Sequence, residues 1–180
     1  MEKTKIKSYC EYVISLNKNN IHRIYHDNYH GFKIEDDNEL FERLILEINQ
    51  AGLSWDIILN KQKKFQKAFN NFNIKKIANY KTKDKKRLLN DSGIIRNKLK
   101  IDATIYNANI ILNLQKEYGS FKKWLDIQKC KSKQDWVKLF KKTFKFTGGE
   151  ITGEFLMSTG YIPGAHIKSC PIYKKLNKIN

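Results

Sequence analysis

The stretch Asp36-Asp37-Asn38-Glu39-Leu40-Phe41-Glu42-Arg43-Leu44-Ile45-Leu46-Glu47-Ile48-Asn49-Gln50-Ala51-Gly52-Leu53-Ser54-Trp55 decides the fold. Asp36 and Asp37 offer acceptors to the unpaired N–H groups of a helix start. Leu40, Phe41, Leu44, Ile45 and Ile48 then recur at helical spacing, and Gly52 stops the run. Ser54 reads as the N-cap of a second helix carrying Trp55, Ile58, Leu59, Phe65 and Phe69. The same pattern predicts short helices over 74–79 and 83–90 and a long one over about 96–116. Ser120 caps a helix over 121–127. Ser132 with Asp135 resembles a capping box before Trp136, Leu139 and Phe140. A last helix carries Phe155 and Leu156 and ends at Gly160. Breaks fall at Asp91-Ser92-Gly93 and Thr147-Gly148-Gly149, and Pro occurs only at 163 and 171. No run alternates like a strand, no repeat shows, and no linker separates domains. The expectation is an all-α protein forming one domain over 1–180.

Composition narrows the classes. The 180 residues are 41% hydrophobic, enough for a core, so wholesale disorder is excluded. No apolar run approaches the ~20 residues of a membrane span. Residues 1–9 are polar and lysine-bearing, so no secretory signal is read there. These features predict a soluble intracellular protein. Lys plus Arg total 35 against 18 Asp plus Glu, a formal charge of +17, which suits a polyanion as partner. Arg occurs only at 23, 43, 87 and 96. A Lys- and Asn-rich chain is also what biased codon usage produces, so the charge alone assigns no surface.

Three cysteines without a signal sequence argue against a disulfide scaffold. Cys10 and His26 lie near one end, His166 and Cys170 near the other. Two Cys and two His suffice for a closed tetrahedral zinc site that would clip the ends together. Spacing alone favours four unrelated residues, because a long gap between ligand pairs is not a finger signature. Cys130 is left over as a small packed thiol.

Three further segments carry chemistry. Residues 83–100 hold two helices around Asp91-Ser92-Gly93-Ile94-Ile95, with Arg96, Lys98 and Lys100 following. A helix-hairpin-helix presents backbone N–H groups to a DNA phosphate from such a segment. Gly93 would allow close approach and a positive φ, and Ile94 and Ile95 would anchor the hairpin. An ordinary helix–helix turn reads the same way. Glu47 to Trp55 places a carboxylate near a helix end, a Gly-Leu bend and a flat aromatic face for a base. It also fits a surface Glu beside a core Trp. Tyr25-His26-Asp27-Asn28-Tyr29-His30-Gly31 concentrates aromatic and imidazole groups suited to a pocket, a metal or a packed loop.

Taken in order, Tyr25-His26-Asp27, Glu47 to Trp55, Gly93-Ile94-Ile95-Arg96, Phe144-Lys145-Phe146 and His166-x3-Cys170 resemble the DNA-3-methyladenine glycosylase I family. The resemblance runs from about Cys10 to Cys170, and Gln50-Ala51-Gly52-Leu53-Ser54-Trp55 is its most specific block. It implies a helix-hairpin-helix glycosylase fold. It also implies a structural zinc held by Cys10, His26, His166 and Cys170. Glu47 corresponds to the family's lesion-pocket carboxylate, and Tyr25 and Trp55 to residues that bond and stack on the extruded base. Tyr12 and His22 fall at positions where relatives carry Trp and Tyr. Gly52 and Leu53 resemble the turn that plugs the opened duplex, and Gly93, Ile94, Ile95, Arg96 and Lys98 the DNA contact. Tyr29 and His30 depart from the family pattern. Glu150 and Glu154 do so too, and the stretch 161–166 is one residue longer.

The implied activity is base-excision repair. The enzyme would be a monofunctional N-glycosylase releasing 3-methyladenine from alkylated duplex DNA after base flipping. No lysine is placed by motif for a Schiff base. The alternative is a non-catalytic helix-hairpin-helix module that senses alkylated bases; a basic RNA-binding protein is a third reading. The expected state is a monomer without a membrane partner, cytoplasmic and nucleoid-associated in a bacterium or nuclear in a eukaryote.

Overall fold

The structure is a computed structural model that describes residues 8–176. Residues 1–7, most of the stretch that argued against a secretory signal, lie outside it. Eleven helices order the described chain: α1 Tyr9–Ile14, α2 Ile21–Asn28, α3 Asp37–Gln50, α4 Trp55–Ala68, α5 Ile74–Ala78, α6 Thr82–Asn90, α7 Lys98–Tyr118, α8 Phe121–Asp126, α9 Lys133–Thr143, α10 Gly149–Ser158 and α11 Pro171–Leu176. Among the described residues there is no strand, and no helix is long and apolar enough to cross a membrane.

The expected caps mostly form. The Asp36 side chain accepts from Glu39 N, and Ser120 from Lys123 N. Ser132 and Asp135 form the reciprocal capping box. Ser54 precedes α4 but makes no capping bond. The long helix starts at Lys98 rather than Arg96, because Asn97 caps it through Lys100 N. Three helices escaped the sequence reading. α1 and α2 are short, and their polar faces hide the apolar period. α11 begins with Pro171, whose fixed φ suits a first helical position.

The chain divides into two compact units. The larger runs Ile34–Phe155. In it α7 packs on α3, α5, α6 and α8. Leu40, Phe41, Leu44, Ile45 and Ile48 of α3 are fully buried, as their spacing requires. Phe121, Trp124, Phe140, Phe144 and Phe155 form a cluster of ring contacts with centroids 5.3–6.4 Å apart. The Asp37 carboxylate accepts from Phe121 N and Lys122 N and from the Gln115 amide, tying the start of α3 to that of α8. The smaller unit joins the described residues up to Lys33 with those from Leu156 onward. In it α1 packs on α2, and Gly31 N donates to Ser158 O.

Candidate active site and metal centre

In the smaller unit the four proposed ligands converge, and all are buried. Their ligand atoms lie within 4.8 Å of one another. His26 Nε2 is 3.3 Å from Cys10 Sγ, 3.7 Å from Cys170 Sγ and 3.1 Å from His166 Nδ1. His166 Nδ1 is 3.7 Å from each sulfur. Zinc bonds of about 2.0–2.3 Å give tetrahedral edges of roughly 3.3–3.8 Å, so the spacing fits that ion. All three cysteines are free thiols, which excludes a Cys10–Cys170 disulfide.

The bonds behind the ligands fix their tautomers. His26 Nδ1 donates to Asp27 at 2.7 Å, and His166 Nε2 donates to the His30 carbonyl at 2.7 Å. A carboxylate and a carbonyl can only accept, so each ring turns a bare lone pair toward the two sulfurs. Burial pushes the His166 pKa down, which keeps the ring neutral, and pushes the Cys10 thiol up. Two imidazole lone pairs and two thiol sulfurs thus face one point, the ligand set of a closed Cys2His2 site once the thiols ionise. The donor set and its backing therefore suit a bound metal.

Beside this cluster lie the predicted aromatic residues of the same unit. Tyr12 and His22 are ring neighbours at 5.5 Å, and Tyr25 contacts His30 at 5.6 Å. Tyr25 and His22 are buried and Tyr12 is half-buried. Tyr9 escaped the sequence reading. It stacks with Tyr12, and its hydroxyl is 3.1 Å from His22 Nδ1, which holds that ring in place. The sequence places His30 among imidazole groups suited to a pocket or a metal, but what it gives the metal cluster is its backbone carbonyl, which no side-chain motif reveals.

In the larger unit, Glu47 is 4% exposed and Trp55 half-buried, the reverse of a surface Glu beside a core Trp. A cavity of about 630 Å³ is lined by residues 47 and 50–54 on one wall and 148–151 with 154 on another. Burial pushes the Glu47 carboxyl up to about 8; Arg43 opposes the shift and Glu154 adds to it. Glu47 has no hydrogen-bond partner among the described residues that would hold it ionised. Beyond it the chain turns sharply. Ala51 has φ −50° and ψ 117°, Gly52 has φ +81°, and Leu53 N donates to Gln50 O. This is a type II turn, which needs glycine at its third position. Leu53 is left exposed at its tip.

Helix α7 holds both walls. Lys100 is buried, and its Nζ donates to Asn49 O at 2.9 Å and Ala51 O at 2.8 Å. Those are orphan carbonyls at the end of α3, where a cation is favoured. Burial lowers the Lys100 pKa. Asn107, fully buried, accepts from Lys145 N and donates to Lys145 O, fixing the turn that leads to Gly148. Thr104 between them donates to Lys100 O. Lys100 thus belongs to the cavity's scaffold rather than to the exposed basic run in which the sequence places it. The signal available was a polar stripe at 100, 104 and 107, one helical face of an otherwise apolar helix.

The segment 91–97 connects α6 and α7 as a turn. Gly93 does not take a positive φ. Its glycine is required for space instead, since a Cβ would lie 2.8 Å from Asp91 Oδ1 and 3.2 Å from Lys64 Cβ. Asp91 Oδ1 accepts from Gly93 N, and Lys61 Nζ donates to the carbonyls of Ser92 and Gly93. Ile94 is buried and Ile95 half-buried, while Arg96 and Lys98 stand exposed.

Known proteins resemble this chain in sequence and fold. The methyladenine glycosylase family profile matches residues 15–137. DNA-3-methyladenine glycosylase 1 of Escherichia coli K12 is 32% identical, over 83% of this chain and 89% of its own. DNA-3-methyladenine glycosylase of Haemophilus influenzae is 31% identical, over 82% and 89%. The crystal structure of a variant of 3-methyladenine DNA glycosylase I in complex with 3-methyladenine superposes with a TM-score of 0.77 at 29% identity, covering 87% of this chain and 94% of that one. By sequence and fold the chain belongs to the methyladenine glycosylase family, hydrolases of N-glycosyl bonds.

Proposed function

We propose that this protein is a base-excision repair enzyme, a monofunctional glycosylase that hydrolyses the N-glycosyl bond of 3-methyladenine in alkylated duplex DNA. The observation that carries the reading is Glu47, a buried carboxylate lining a cavity next to the Gly52–Leu53 turn. An alkylated adenine is cationic, so its glycosidic bond is already weak and the base departs neutral. What remains is to extrude the nucleotide, recognise it and stabilise the sugar cation. Extrusion costs a few kcal/mol, least at a damaged base. Stacking on Trp55 returns ~1–3 kcal/mol. Glu47 accepts hydrogen bonds from the N–H edge of the base and favours its positive charge. Tyr25 hydrogen-bonds the base, and Tyr12 and His22 supply aromatic surface. Normal adenine lacks the charge and keeps a strong bond, so it is disfavoured twice. Water then attacks the sugar.

Gly52 and Leu53 fill the gap in the duplex. Gly93, Ile94, Ile95, Arg96 and Lys98 act as a helix-hairpin-helix that holds a DNA phosphate through backbone N–H groups. Cys10, His26, His166 and Cys170 hold a structural zinc, whose four protein ligands leave no position for water and no part in the chemistry. The chain works as one glycosylase domain over 1–180, as a monomer, on cytoplasmic DNA in a bacterium.

The test is release of free 3-methyladenine from methylated DNA by the purified protein, followed chromatographically. Wild type is expected to release it, and Glu47→Gln to do so at least about a hundredfold more slowly. No release by wild type, with Glu47→Gln binding DNA as tightly as wild type, leaves a non-catalytic sensor of alkylated DNA instead.

A further inference from the structure

The cavity that holds Glu47 is acidic in a basic protein. Three of its lining residues are Glu47, Glu150 and Glu154, and none is Lys or Arg. A protein of charge +17 that must approach a polyanion gains nothing on the phosphate side from such a cavity. Glu150 is 93% exposed and its contact with Lys133 is long, at 3.9 Å, so solvent screens it. Glu154 is different. It is half-buried on α10, one turn inside the cavity wall. It shares the cavity with Glu47, which is nine-tenths buried and has no hydrogen-bond partner among the described residues. Lys133 is a cation whose charge acts on Glu154. Its side chain crosses Gly153, where a Cβ would come within 2.4 Å of Lys133 Cε. A side chain at 153 would push that ammonium off its path along α10.

We propose that Glu154 is a specificity-determining residue of the lesion cavity, a second carboxylate that selects cationic over neutral bases, with Lys133 as its counterweight. This rests on the reading that the Glu47 cavity receives the lesion. A neutral base gains nothing from a nearby carboxylate, while a cation is attracted across several ångströms even without contact. Burial holds the Glu154 pKa above the ordinary value, with Glu150 adding to it and Lys133 opposing, which fits a carboxylate that responds to an incoming cation.

The test is titration of the intact protein with two free ligands at mildly alkaline pH. One is 3,9-dimethyladeninium, a permanent cation with a methyl group in place of the sugar. The other is 3-methyladenine, uncharged under those conditions. Glu154→Gln is expected to weaken binding of the cation about tenfold and of the neutral base less than about twofold, the difference shrinking at high salt. Lys133→Met is expected to act in the opposite direction, strengthening the cation alone. If Glu154→Gln changes both ligands equally, or neither, and Lys133→Met is silent, the inference is overturned. If wild type binds both ligands and Glu47→Gln abolishes that binding, such an outcome overturns the inference alone. If wild type binds neither, the cavity reading falls with it.

Discussion

Glu47 sits in α3 one turn after Arg43, both buried, and its carboxyl is pushed up to about 8 because burial outweighs the Arg43 charge. An unfolded glutamate titrates near 4.5, so the folded protein holds the proton more tightly. Stability is therefore full below pH 4.5 and falls as pH rises toward about 8, where the loss levels off. Glutamine mimics the protonated acid. Glu47→Gln should match wild type in acid and exceed it by about 3–6 kcal/mol in alkali, seen as a gap between melting temperatures that widens with pH. A gap independent of pH would show that burial does not govern this group. Recognition of a cationic base needs the ionised form, so kcat/KM on methylated DNA should rise with pH and level off above about 8. Sequence located this residue through its neighbours Gln50 to Trp55. Its burial was not read from sequence although Glu47 follows Leu40 and Leu44 on one helical face, because a carboxylate is by default placed in solvent.

Among the elements, α7 does most to shape the cavity. The Lys100 ammonium holds the last carbonyls of α3, and Asn107 holds the backbone of Lys145. Lys100→Met keeps the side-chain stem and removes both bonds. It should cost about 1–3 kcal/mol by thermal denaturation and slow base release through misplacement of the 51–54 turn. Unchanged release would mean that the turn is set by its own type II geometry. Gly52→Ala tests that geometry directly. Nothing lies within 4 Å of a Cβ there, so any loss, about 1 kcal/mol, comes from the backbone at φ +81°. Helix boundaries followed the sequence closely where a side chain caps the first turn, as at Asp36, Ser120 and Ser132. They departed at Arg96, because Asn97 is the cap, as its short acceptor side chain makes it a far better one than arginine. Gly93 matters as its sequence context suggests, but for close packing on Asp91 and Lys64 rather than for left-handed backbone.

On the scale of the whole molecule, the metal and the net charge each make a prediction. Metal analysis should find about one zinc per chain, and strong chelation or Cys170→Ser should lower the melting temperature substantially, since ligand binding to the native state is folding free energy. A chain that melts identically with and without chelator would show that the four ligands merely pack. The +17 charge should make duplex affinity fall steeply with salt, and replacing Arg96 and Lys98 with neutral residues should flatten that slope by about one unit for each phosphate no longer neutralised. An unaltered slope would move the DNA-binding surface away from 91–98.

Sequence by itself determined the helical class, most helix starts, the stop at Gly52 and the family. All of these depend on local capping, on apolar period or on motifs that lie within a few residues of each other. Only the tertiary structure decided the rest. Cys10 and Cys170 are 160 positions apart in the chain, and no local rule joins them; packing alone brings the four ligand atoms within 4.8 Å. Lys100 changed from a surface charge to a buried tether, and of the two readings of Glu47 and Trp55 the surface Glu beside a core Trp was excluded. Burial is a property of the whole packed unit, and burial sets both the proton affinity of a carboxylate and the worth of a hydrogen bond.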